Sequence, residues 1–65
     1  MNGQIAKKHL GQELPVEVMQ SAAGYYIGTS CNGLPCSRES LQYYRARECA
    51  DQALQNGTWT QREEP

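Results

Sequence analysis

The chain has 65 residues and a mass of 7.3 kDa, which is room for one small domain and excludes a cofactor-binding half joined to a substrate-binding half. Hydrophobic residues make up 38% of it, yet only nine residues are Leu, Ile or Val and Phe is absent, so the expected core is thin. Six Lys or Arg face seven Asp or Glu for a formal charge of −1; this lacks the high net charge that marks disorder, and it argues against a nucleic-acid binder resting on a broad basic face.

The first 14 residues differ from the rest. Lys7, Lys8 and His9 sit among Ile5, Ala6 and Leu10, with Gly3 and Gly11 at either end. That allows a helix of two turns capped by Asn2, and an isolated helix this short is marginal in water. Residues 1–14 are therefore expected as a flexible arm, weakly structured or a short helix, that orders only if it docks. Residues 15–65 are expected as the compact part, opening at Pro15.

Val16, Val18 and Gln20 alternate with Glu17, Met19 and Ser21, a period of two that predicts a half-buried strand. A short helix from Pro15 to Gly24 also fits, through Val16, Met19 and Ala23. The strand reading is preferred because Tyr25, Tyr26, Ile27, Gly28 and Thr29 follow with strong β preference, which makes Ala22, Ala23 and Gly24 the first hairpin turn. Asn32-Gly33 supplies the two positive-φ positions of a second tight turn, and Pro35 is expected to block ladder pairing straight after it. Residues 41–44 then read as a short third strand, with Tyr43 and Tyr44 on opposite faces.

Ala46, Cys49, Ala50, Ala53 and Leu54 form an apolar stripe at helical spacing, stopped by Asn56-Gly57. Thr58, Trp59, Thr60, Gln61 and Arg62 follow as an edge strand whose indole is expected to pack on that stripe, and Glu63, Glu64 and Pro65 form a polar tail. The predicted fold is α+β: a three- to four-stranded antiparallel sheet, one helix packed on one face, in the order β-β-β-α-β.

No chemistry-bearing constellation emerges. Zinc wants four ligands in close pairs, and Cys31 with Cys36 would need Cys49 and the distant His9 to complete a set. Cys49 reads as a small buried residue. Three cysteines, without a basic and apolar leader, point away from a secreted disulfide scaffold and toward reduced thiols in the cytoplasm, with Cys31 and Cys36 pairing only on air oxidation. Glu48 and Asp51 lie at i and i+3 on a solvated helix face. Phosphate-binding and metalloprotease motifs are absent, and no apolar run exceeds three residues. The expectation is a protein that is not an enzyme, holds no cofactor or metal, and does not span a membrane.

Aromatics and Arg are the remaining signal, since Tyr, Trp and Arg are the types enriched at binding hot spots. Tyr25, Tyr26, Tyr43 and Tyr44 form two adjacent pairs, and Arg38, Arg45, Arg47 and Arg62 share their half of the chain. One ring of each pair can face outward, flanked by guanidinium groups; the other reading makes these rings core filler in place of Phe. The expected partner-binding residues are Tyr26, Arg38, Tyr44, Arg47 and Arg62.

Across about two thirds of the chain, Gly24-Tyr25-Tyr26-Ile27-Gly28-Thr29, Gly33-Leu34-Pro35, Ser37-Arg38-Glu39-Ser40, Tyr43-Tyr44, the helix with Ala50, Ala53 and Leu54, and Gly57-Thr58-Trp59-Thr60-Gln61-Arg62 resemble a group of short, uncharacterised bacterial and phage or prophage open reading frames. The N-terminal arm lies outside the resemblance, and Cys31 and Cys36 depart from its pattern. What it implies is an accessory protein of mobile elements that binds and modulates, or inhibits as counter-defence and anti-CRISPR proteins do, a larger bacterial protein or complex. Two other partners are weighed: nucleic acid, through Tyr stacking and Arg contacts to the backbone, and a second copy of the chain, pairing edge to edge along the Trp59 strand.

Overall fold

The computed structural model describes residues 2–63; Glu64 and Pro65 of the expected tail lie outside the described residues. The elements run α1 (Gln4–Leu10), β1 (Glu17–Ser21), β2 (Gly24–Cys31), β3 (Leu34–Arg38) and α2 (Arg47–Asn56). The three strands form one antiparallel sheet in the order β1-β2-β3, so the fold is α+β with two helices.

The turn chemistry acts where the sequence places it. Ser21 pairs with Gly24 across the two-residue Ala22-Ala23 loop, and the Ser21 hydroxyl accepts from the Ala23 amide at 3.2 Å. Asn32 and Gly33 take φ of 54° and 81°, the double left-handed conformation of a tight hairpin turn. That turn returns the chain at once, so the third strand begins at Leu34, not at residue 41. Pro35 lies within it, paired with Ser30 beside a register shift at Thr29 and Ser30. An edge strand tolerates a proline that lacks a ladder donor.

The same hairpin brings Cys31 and Cys36 together as a disulfide, Cα to Cα 5.7 Å. The sequence leaves open whether these two residues are free in the loop or paired; the fold brings them within pairing distance. The cause is register: Cys31 faces Leu34, two residues from Cys36 on a bulged strand.

β2 is the central strand and is buried on both faces, Tyr26 and Gly28 alternating with Ile27 and Thr29. On its β1 side Gly24 to Gly28 are paired. On the other side β3 covers Gly28 to Cys31, after which Glu39 and Ser40 both donate their amides to the Ile27 carbonyl, at 2.8 and 2.9 Å. Tyr44 then exchanges two backbone hydrogen bonds with Tyr25. Residues 41–44 thus run along β2 but touch its ladder at a single bridge, and form no strand of their own.

The expected fourth strand is reduced to the Ser40–Gln61 bridge. In place of further ladder bonds, the Gln42 side chain reaches Thr60, accepting from its amide at 3.0 Å and donating to its hydroxyl at 2.9 Å. Trp59 is half-buried between exposed Thr58 and Thr60. The expected alternation is present, but the indole is not enclosed as a core residue. α2 buries Ala50 and Ala53 and ends at Gly57, φ 66°, whereas Cys49 is exposed; a stripe of small residues on ten residues of helix is too narrow to enclose its first turn.

The N-terminal segment is docked. Ile5 and Ala6 are 2% and 0% exposed, and the tie is Glu39, which is fully buried. Its carboxylate accepts from the Ile5 amide at 2.8 Å and the Ala6 amide at 3.1 Å, the second and third residues after the N-cap Gly3. These are donors that a helix start leaves unpaired. Ser37 donates to the same carboxylate at 2.6 Å and Gln61 at 2.8 Å. Thr29 lies 2.6 Å from the Ser37 hydroxyl, extending the chain of hydrogen bonds into β2. A Cβ on Gly3 would stand 2.6 Å from Glu39 Oε2 and 2.6 Å from the Thr29 methyl, so this close approach requires glycine at the N-cap. Of the two forms expected for this segment the short helix is the one observed, docked and with Gly3, not Asn2, at its N-cap.

Burial alone would push the Glu39 carboxyl up, but the hydrogen bonds from Ser37, the Ile5 amide, Gln61 and the Ala6 amide outweigh it and hold the group below its ordinary value. A depressed folded value means that Glu39 contributes full stability above the unfolded carboxyl value of about 4.3, and loses it as pH falls through the lower folded value. Glu39→Gln turns an amide toward donors and should cost about 2–4 kcal/mol at pH 7. The acid-side melting profile of that variant should lack the wild-type Glu39 component below about pH 4.3. Separately, Cys31→Ser/Cys36→Ser should lower stability by about 2 kcal/mol, the chain-entropy value for so short a loop, and denaturant melts with and without thiol reductant measure it.

Candidate functional site

Between the end of β3 and the start of α2 the chain forms a strap, residues 41–47, whose exposure alternates without a break. Leu41, Tyr43, Arg45 and Arg47 are exposed; Gln42, Tyr44 and Ala46 are half-buried. The inward residues explain the pattern. Gln42 is tied to Thr60, Tyr44 is fixed to Tyr25 through the backbone, and Ala46 is the extended N-cap of α2, φ −122° and ψ 145°. Pinning alternate residues of a near-extended segment turns those between them outward.

Arg38 lies against this row. Its guanidinium sits over the Tyr43 ring, 4.6 Å from the centroid, donates through Nη1 to the Tyr43 hydroxyl, and donates through Nε to the Ser40 carbonyl at 3.1 Å. Tyr43 also meets Tyr26 edge to face, centroids 5.9 Å apart at 72°. Tyr43 is 41% exposed and yet held by two contacts. A cation over an aromatic face and an edge-to-face ring pair each add on the order of 1 kcal/mol, enough to favour one orientation at an exposed position.

The sequence-predicted residues separate. Arg38 and Arg47 border the strap. Tyr44 is half-buried and faces inward, where burial raises its hydroxyl above the ordinary value. Tyr26 is 6% exposed and offers no free ring face, which corrects its placement on a surface. Burial, with Tyr43 adding and Arg38 opposing, keeps its hydroxyl raised and neutral. Arg62 is on the C-terminal segment, its amide bonded to the Glu39 carbonyl at 2.6 Å, and it lines a surface concavity with Leu41. Tyr43 and Leu41 were absent from the predicted set; the signal that finds them is the inward pinning of Gln42 and Tyr44, a tertiary fact.

Among the described residues, no group of three or more His, Cys, Asp or Glu is placed to hold a metal ion, and no helix is long and apolar enough to cross a membrane. No protein-family model, curated protein or solved structure matches the chain.

Tyr26→Ala should cost about 3–5 kcal/mol, as for a buried aromatic, and unfold a domain this small. Arg38→Ala should stay within about 1 kcal/mol of wild type, and Tyr43→Ala, which loses both the Arg38 and the Tyr26 contact, within about 2 kcal/mol. Denaturant titration of the three variants checks the order.

Proposed function

We propose that the protein is a small non-enzymatic interaction module that binds and modulates a larger bacterial protein or complex, and that it docks through the strap and Arg38. The observation that carries this reading is the Arg38–Tyr43 pair. It joins two residue types enriched at hot spots, Tyr43 exposed and Arg38 half-buried, already held against each other, so that association costs little further side-chain entropy. Leu41, 54% exposed, adds apolar area at one end of the row, and Arg45 and Arg47 continue it at the other. A mobile-element setting, in which a counter-defence inhibitor is one such module, belongs to the proposal and rests on the sequence resemblance alone. Action in the cytoplasm would place the Cys31–Cys36 disulfide in reducing surroundings, so binding is best measured with and without thiol reductant.

Affinity capture from bacterial lysate with wild-type protein and with Arg38→Ala/Tyr43→Ala is the test. The expected result is a stoichiometric protein partner recovered by wild type and lost by the variant, both proteins having native melting curves. Failure of wild type to recover any stoichiometric protein in either redox condition contradicts the proposal.

A further inference from the structure

The charge on the strap differs from that of the molecule around it. Three of the chain's six cations, Arg38, Arg45 and Arg47, fall within residues 38–47, and the one acid of that segment, Glu39, is buried with its carboxylate occupied by backbone and side-chain donors. The rest of the chain carries three cations and six acids. The exposed charge of the segment is therefore wholly positive on a molecule that is otherwise negative. Arg45 and Arg47 make no ion pair and no side-chain hydrogen bond among the described residues; the one ion pair there joins Lys7 to Glu13, 3.6 Å apart on the surface. Glu48 and Asp51, the nearest acids in sequence, leave both guanidinium groups unpaired.

Resting on the reading of the strap as a docking surface, we infer that its partner presents an acidic protein segment with an apolar side chain among its carboxylates. The planar forks of Arg45 and Arg47 match carboxylates in bidentate geometry, and Leu41 with Tyr43 covers the apolar residue. A nucleic-acid strand fits less well. It would leave Leu41 solvated, and three arginines on a net negative chain release few counterions.

The probe is a synthetic peptide of alternating Glu and Leu, titrated into the isotopically labelled full chain and followed by amide chemical shifts. Controls are the same peptide with Gln for Glu, a single-stranded oligonucleotide, and vesicles of anionic phospholipid. The inference expects shifts confined to residues 38–47 with the acidic peptide, affinity falling about tenfold or more in Arg45→Glu/Arg47→Glu, partial retention in Arg45→Lys/Arg47→Lys, and weakening with salt. Equal shifts from the Gln peptide, shifts elsewhere, or stronger binding by the oligonucleotide or vesicles overturn it. Capture of the lysate partner separates this inference from the broader reading. If Arg45→Glu/Arg47→Glu still captures it while Arg38→Ala/Tyr43→Ala does not, the docking surface stands and the acidic partner class falls.

Discussion

A carboxylate with no counter-cation among the described residues organises this molecule. Glu39 is wholly buried, and a charge in that position is tolerated only where hydrogen bonds replace its lost water. Here the donors come from three parts of the chain: the first turn of α1, Ser37 at the end of β3, and Gln61 near the C-terminus. The carboxylate caps a helix that could not persist alone, and the backbone of the same residue accepts from Arg62 and donates to Ile27. One residue thus fixes the N-terminal segment, the sheet and the C-terminal segment relative to one another.

The position of the strap follows from that junction. Glu39 and Ser40 share the Ile27 carbonyl, which ends the regular ladder of β3 and sets the chain on a path outside the sheet. The Ser40 hydroxyl donates to the Gln42 carbonyl at 2.9 Å and accepts from the Ile27 amide at 3.0 Å, so the departure is fixed by side-chain bonds where ladder bonds stop. Tyr44 rejoins β2 four residues later. Between those two anchors the backbone has little freedom, and alternate side chains face solvent because their neighbours are fastened.

What was legible in the sequence was local. Asn32-Gly33 specifies its turn by conformational preference, Ser21 and Gly24 bracket the other hairpin, and the Ala50 and Ala53 spacing with Gly57 defines α2; each depends on residues within one turn or one helix. The third strand is not legible from Pro35, because a proline argues against a ladder while an edge strand entered from the Asn32-Gly33 turn accommodates it. The Cys31–Cys36 pairing becomes readable once the hairpin register is laid over the cysteine spacing. The capping of α1 by Glu39 is another matter, since donor and acceptor lie 34 and 33 residues apart and neither end carries a capping motif. The nearest hint was Glu39 itself, a lone acid between Arg38 and a run of residues whose charges are all positive.

The distribution of large side chains bears on the docking surface. The chain owns five leucines and no phenylalanine, yet none of the leucines is buried, and Leu10, Leu34 and Leu41 are exposed. Ile5, Ile27 and Tyr26 supply the large buried side chains, helped by small residues and by polar groups that are all partnered; no buried side-chain nitrogen or oxygen among the described residues lacks a hydrogen bond. Polar closure of the interior is costly to disrupt and specific in geometry, and it lets a thin-cored chain hold its shape without using every apolar residue. Single exposed leucines are ordinary on a protein surface. Leu41 differs from Leu10 and Leu34 in its company: it shares a pinned row with Tyr43, held by Arg38 and Tyr26, and with two arginines that make no ion pair among the described residues, which is the ground on which that row is proposed as a contact surface.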